Sequence, residues 1–262
     1  MSFLYAINPA YVLSGFAVGF LVGLTGVGGG SLMTPLLILL FGISPEKAVA
    51  TDLIYASVTK TGGSIVHAIN NTIDWRIVFR LASGSLPASL ATLVVLHFVG
   101  LDSAAANAVI TKVLGVALIF TSIALIFRPW LLWVYLRLVG EIQIANTARY
   151  TILTGVVLGT LVTISSVGAG ALGVTALIIL YPKLPIVRIA GSDIAHAVPL
   201  TLVAGVGHLL GGSINIGILL SLLSGSLPGI VIASSFAPRI PDVALRLVLA
   251  ATLALVAYKL LS

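Results

Sequence analysis

Stretches of about twenty residues with almost no charge recur along the whole of this chain, and that feature decides what it can fold into. A helix rising about 1.5 Å per residue needs about twenty apolar residues to cross the roughly 30 Å hydrocarbon core of a bilayer. Of the 262 residues, 59% are hydrophobic and only 8% charged, against about a quarter charged in a soluble domain. That is too little polar surface to face water. The expected fold class is an all-α polytopic membrane protein, in the cell (inner) membrane. The start, MSFLYAINPA, lacks the basic region of a secretory signal peptide, so the first apolar segment is expected to stay. The chain has no cysteine, which removes disulfides, thiolate metal sites and thiol chemistry. The four histidines show no H-E-x-x-H spacing, so no metal, cofactor or catalytic residue is expected.

Internal repetition comes next. Asp52–Pro87 aligns without a gap on Asp193–Pro228, pairing Asp52 with Asp193, Ala56 with Ala197, His67 with His208, and Ser83–Pro87 with Ser224–Pro228, both SGSLP. One residue out of that register, Gly15, Gly19, Gly28 and Gly30 match Gly155, Gly159, Gly168 and Gly170. Apolar segments at 9–25, 30–42, 48–69, 76–99 and 104–127 are answered by 150–166, 170–181, 188–210, 217–236 and 242–261. An odd number per half turns the second half over, giving two inverted repeats, each with a short broken or re-entrant helix pair plus three spanning helices. The boundaries are 1–127 for the first repeat, 128–149 for an interfacial linker and 150–262 for the second. The basic residues fit this. Arg76, Arg80, Arg128, Arg137, Arg149, Lys183, Arg188, Arg239 and Arg246 fall on one side; Lys47, Lys112 and Lys259 fall on the other. The richer side is expected to be cytoplasmic and both termini external. The net charge of +6 is topological on this reading, and no nucleic-acid partner is implied.

Within the first repeat, GLTGVGGGSLMTP (Gly23–Pro35) breaks an apolar run with glycines, each costing roughly 1 kcal/mol against alanine inside a helix. The flanking segments reach about 25 and 20 Å, short of the hydrocarbon core. A tip at Thr25–Ser31 near the midplane is expected, answered from the other side by SSVGAGA, Ser165–Ala171. Two readings compete. The glycines permit close helix packing, as small-xxx-small motifs do. Alternatively, two half-helix N-termini offer unpaired N–H groups and a partial positive charge to a bound anion. On the second reading the substrate-binding residues are Thr25, Gly28, Gly29, Gly30 and Ser31 with Ser165, Ser166, Gly168 and Gly170.

The run GVGGG followed by Pro35, then AVATD at Ala48–Asp52, His67 and IDW at Ile73–Trp75, with a duplicated second half, resembles the TauE/SafE sulfite exporter family of small membrane transporters. The resemblance covers nearly the whole chain. It implies transport of sulfur-containing anions, such as sulfite, sulfoacetate and related organosulfonates, or of other small organic anions. The second half departs from the pattern where Ala169 replaces the middle glycine and Asn215 stands opposite Asp74.

Lys60 lies mid-segment, where a lysine costs about 2.5–3.5 kcal/mol on insertion scales. It is expected to face the interior and touch the anion, its alternative being a structural ion pair. Its repeat partner is Thr201. Asp52 and Asp193 occupy early turns, where a carboxylate either caps the helix dipole or serves the pathway. Asp52, Lys60 and His67 share one helical face. Histidine as a residue type titrates near neutrality, so coupling to protons and a hydrogen bond at the interface are both readings of His67 and His208. His97 and His196 have no matching histidine in the other half and receive no role. Tyr55, opposite His196 in the repeat, lines a path or packs. The proline of each SGSLP opens a gap in the helix ladder that the neighbouring serines are expected to refill.

The function expected is alternating-access secondary transport of a small anion, a sulfur oxyanion or organosulfonate, in a lipid bilayer. The alternatives are an anion-selective, channel-like pore and a transporter of a non-sulfur organic anion. No Walker-type phosphate loop is present, so ATP hydrolysis is not expected.

Overall fold

The computed structural model describes residues 8–25, 30–100, 104–138, 144–211, 215–236 and 242–261, and the regular structure among them is helical. The order is α1 Pro9–Thr25, α2 Gly30–Phe41, α3 Pro45–Ile69, α4 Trp75–Val99, α5 Ala104–Leu138, α6 Ile144–Ser165, α7 Ala171–Leu180, α8 Ile186–Leu210, α9 Ile216–Phe236 and α10 Asp242–Leu261. Stretches of α4, α5, α6, α8, α9 and α10 are long and apolar enough to cross a membrane. With these six helices the chain is a multi-pass membrane protein. α3 has 25 residues, enough length, but Glu46, Lys47, Asp52 and Lys60 dilute its apolar character.

Helix boundaries follow local chemistry. α3 starts with Pro45 at its first position and Glu46 in its first turn, both suited to a helix N-terminus. Asp74 caps α4 by accepting from Arg76 N at 3.0 Å. Two elements outrun the apolar segments. α5 continues past Phe127 to Leu138, about 52 Å in all, so the expected interfacial stretch is helical and continuous with it. α6 starts at Ile144 and reaches about 33 Å, long enough to cross. The short segments are therefore α1, α2 and α7, while the expected short segment at 150–166 belongs to a full-length helix. Hydropathy marks only the apolar part of a helix, and the polar turn Ile144–Arg149 is helical too.

Burial is inverted relative to a soluble protein. Phe98 and Leu210 are each 85% exposed, toward lipid, while Asp52, Asp193 and His196 are almost wholly buried. One apolar cluster joins Met33, Leu37, Tyr55, Leu118, Leu222 and Leu253. Another joins Ile77, Leu81, Leu158, Leu177 and Ile189.

The tightest packing joins distant parts of the chain: α1 lies on α9, and α4 on α6. A Cβ on Gly15 or Gly19 would strike the backbone of Leu222 or Ser226; a Cβ on Gly155 or Gly159 would strike that of Leu81 or Ser85. Glycine permits this backbone approach. α4 and α9 run through Pro87 and Pro228 without ending. The serines do not refill the gaps as expected. Ser83 Oγ donates to Arg80 O and Ser224 Oγ to Ser221 O, each at 2.8 Å, one turn before the carbonyl that lost its partner.

Candidate functional site

α3 and α8 pack against each other and carry most of the buried ionisable groups. Asp52 Oδ2 accepts from Thr34 N at 3.2 Å and Thr34 Oγ1 at 2.5 Å, tying α3 to α2. Its Oδ1 has no partner. On α8, Asp193 is 1% exposed, and among the described residues its carboxylate faces the Gly170 N–H without a well-formed hydrogen bond on either oxygen. Its carboxylate occupies the space where a Cβ on Gly173 would stand, so the absence of a side chain on α7 admits it.

The tip between α6 and α7 is built by backbone conformation. Ser166 holds φ at +59°, Gly168 at +125° and Gly170 at +126°, a region that costs any residue with a Cβ. Gly170 is the N-cap of α7. Ser165 serves the loop itself: its Oγ donates to Leu161 O at 2.7 Å and accepts from Val167 N at 3.2 Å. Ser166 Oγ, by contrast, is buried facing the Asp52 carboxylate and makes no well-formed hydrogen bond among the described residues.

Lys60 closes the arrangement. It is 7% exposed, and its Nζ donates to Ala169 O, in the tip, at 3.1 Å. Both Asp52 and Asp193 lie within its electrostatic reach. Helical side chains lean toward the N-terminus, which carries the ammonium back toward Asp52. The cation thus stands among two carboxylates, a tip carbonyl and an unpartnered hydroxyl.

His196 joins the cluster although the sequence reading gave it no role. It is fully buried, its Nε2 shares a 2.7 Å hydrogen bond with Ser85 Oγ on α4, its Nδ1 has no partner, and Lys60 acts on it electrostatically. The available signal was its pairing with Tyr55. Tyr55 is fully buried too, with Ser226, the counterpart of Ser85, beside its hydroxyl.

Other expected residues lie elsewhere. His67 Nδ1 pairs with Thr72 Oγ1 at 2.8 Å, and seven residues separate it from Lys60, about 10 Å of rise. His208 Nε2 lies 3.0 Å from Thr163 O, and twelve residues of α8, about 18 Å of rise, separate it from His196. In the first tip, Ser31 is buried; Gly28, Gly29, the side chain of Thr25 and the surroundings of Gly30 lie outside what the structure describes. A cavity of about 950 Å³ between α5, α6 and α7 is lined by Lys112, Phe120, Tyr150, Leu161 and other apolar residues, and shares none with the Lys60 cluster. Among the described residues no group of three histidine, aspartate or glutamate side chains could hold a metal.

The profile of one family, sulfite exporter TauE/SafE, matches residues 11–260. The chain belongs to the TauE/SafE family. Among TauE/SafE relatives, the probable membrane transporter protein YjnA of Bacillus subtilis (strain 168) is 37% identical over 97% of this chain and 100% of its own length. YdhB of the same organism, also named a probable membrane transporter protein, is 23% identical over 90% of this chain and 92% of its own. No solved structure matches the chain. Membership in TauE/SafE makes it a membrane transporter, and the Lys60 cluster is a buried polar site among its described residues.

Proposed function

We propose that this transporter moves a small anion, a sulfur oxyanion or organosulfonate, by alternating access, with Lys60 as the cation that meets it. One observation carries the reading: a buried lysine whose one hydrogen bond among the described residues is to a tip carbonyl, Ala169 O. A charge this costly to bury is retained for function, and an ammonium held by a neutral carbonyl is free to exchange that partner for a stronger, charged acceptor. Ser166 Oγ and the N-terminus of α7 add donors at the same place. The sulfur comes from the family's name, the anion from the residues. Thr25, Gly28, Gly29, Gly30 and Ser31 complete the site in this reading as the counterpart tip, with Gly168 and Gly170 shaping the second.

The two halves act as inverted repeats about the α3–α8 contact. Supporting this, the approach of Gly15 and Gly19 to Leu222 and Ser226 recurs between Gly155 and Gly159 and Leu81 and Ser85, the aligned positions. The chain performs transport without catalytic chemistry, with its basic loops cytoplasmic and both termini external.

Calorimetry on purified protein tests the site, with sulfite, sulfoacetate, taurine, thiosulfate, sulfate, acetate and a neutral control titrated against wild type and Lys60→Ala. Binding of a sulfur anion, lost in Lys60→Ala by at least a hundredfold (about 2.7 kcal/mol), is the expected result. Binding that ignores Lys60, or none at all, overturns the assignment.

A further inference from the structure

We infer that the Lys60 site takes up a proton on Asp193 when it takes up its anion. The inference rests on the anion reading above and deepens it by naming the coupling ion and the group that carries it.

The first argument is charge balance. Lys60, Asp52 and Asp193 are all buried, and both carboxylates lie within electrostatic reach of Lys60. With all three ionised the site carries one negative charge before any ligand arrives. A bound monoanion would raise this to two, in a place where uncompensated charge is severely penalised. A proton from solution on one carboxylate removes the excess.

Hydrogen bonding then selects the carboxylate. Asp52 Oδ2 accepts two hydrogen bonds from Thr34, at 3.2 and 2.5 Å, which satisfies it as an acceptor-only group. Among the described residues Asp193 accepts no well-formed hydrogen bond from a side chain, and only the Gly170 N–H faces its carboxylate. Protonated, it gains an O–H donor, which turns a group that repels the anion into one that can bond it. The groups facing Asp193 are few. α3 presents Lys60, which Asp52 also reaches, α7 presents the Gly170 N–H at its start, and α8 itself carries His196 one turn on, whose Nδ1 has no partner among the described residues. α7 holds no titratable residue, and those of α6, Arg149 and Tyr150, stand at its far end. On α4, Arg80 is engaged with Tyr181 Oη at 3.2 Å, and Arg76 and His97 lie near the helix ends.

The test is calorimetry from pH 6 to 9 in buffers of different ionisation enthalpy, which counts protons taken up per anion bound. Thiosulfate and sulfoacetate hold their charge across this range, and sulfite is corrected for its own proton. Wild type is expected to gain at least one proton per anion bound at the alkaline end, with affinity falling roughly tenfold or more per pH unit there. Asp193→Asn is expected to take up one proton fewer and to bind with flatter pH dependence, whereas His196→Gln keeps the wild-type count. Anion binding with no proton uptake in wild type overturns the inference alone, as does an unchanged count in Asp193→Asn or a count lost in His196→Gln. If none of the anions binds wild type, the anion reading falls, and this inference with it. The wild-type count decides the matter even if a variant fails to fold.

Discussion

Ser166 keeps a left-handed backbone at the tip, with φ at +59°, where an L-residue pays about 1–2 kcal/mol that glycine does not. Its counterpart in the first half is Gly26. Ser166→Gly is therefore expected to raise stability by about 1 kcal/mol, seen as a higher unfolding temperature in detergent, while Ser166→Ala keeps the strain. If Ser166 Oγ donates to the anion, both variants weaken binding equally, by about tenfold for one lost hydrogen bond to a charge. Gly173 makes a second case. An added Cβ would displace the carboxylate of Asp193, the movable end of a side chain. Gly173→Ala should then cost less than about 1 kcal/mol in stability but slow anion flux into proteoliposomes. A loss of fold instead would place Gly173 in packing alone. Lys60 was legible because a mid-segment lysine has no cheap reason to exist. The Ala169 carbonyl that holds it was not, since no sequence pattern reports which backbone oxygen a long side chain will reach.

Among the helices, α1 on α9 and α6 on α4 are fixed by glycines that meet backbone rather than side chains. Backbone cannot step aside. Gly159→Leu is expected to cost about 3 kcal/mol or more, lowering the folded yield and the unfolding temperature. Gly62, in α3, faces open space, and Gly62→Ala should be neutral or stabilise by up to about 1 kcal/mol. Equal losses in the two variants would remove the packing account. Here the matched glycines were visible in the sequence, but which helices they bring together was not, because the partner lies outside any local pattern. The helix limits show the same division. α1 and α10 coincide with their apolar segments, whereas α5 runs on through Pro129 into the next apolar stretch and α6 starts in polar sequence ahead of its own segment.

For the molecule as a whole, the uneven spread of basic residues predicts orientation. The chain has no cysteine, so a single introduced one reports without background. Asn71→Cys, at an exposed turn after α3, should react only with a membrane-permeant maleimide in intact cells. Asn215→Cys, exposed before α9, should react with an impermeant one as well. The reverse pattern would invert the topology. His196 shows what a whole-molecule view adds: its place beside Lys60 comes from the α3–α8 contact, which only the pairing with Tyr55 hinted at. The α1–α9 interface also has a history in time. Its two surfaces, Gly15 and Leu222 among them, are separated by about 200 residues, so at about 5–20 residues per second the ribosome takes roughly 10–40 s to supply the second. Through that interval the glycine face of α1 waits in the membrane without its partner, and a nascent chain stalled before α9 would be a ready substrate for the membrane's quality-control proteases.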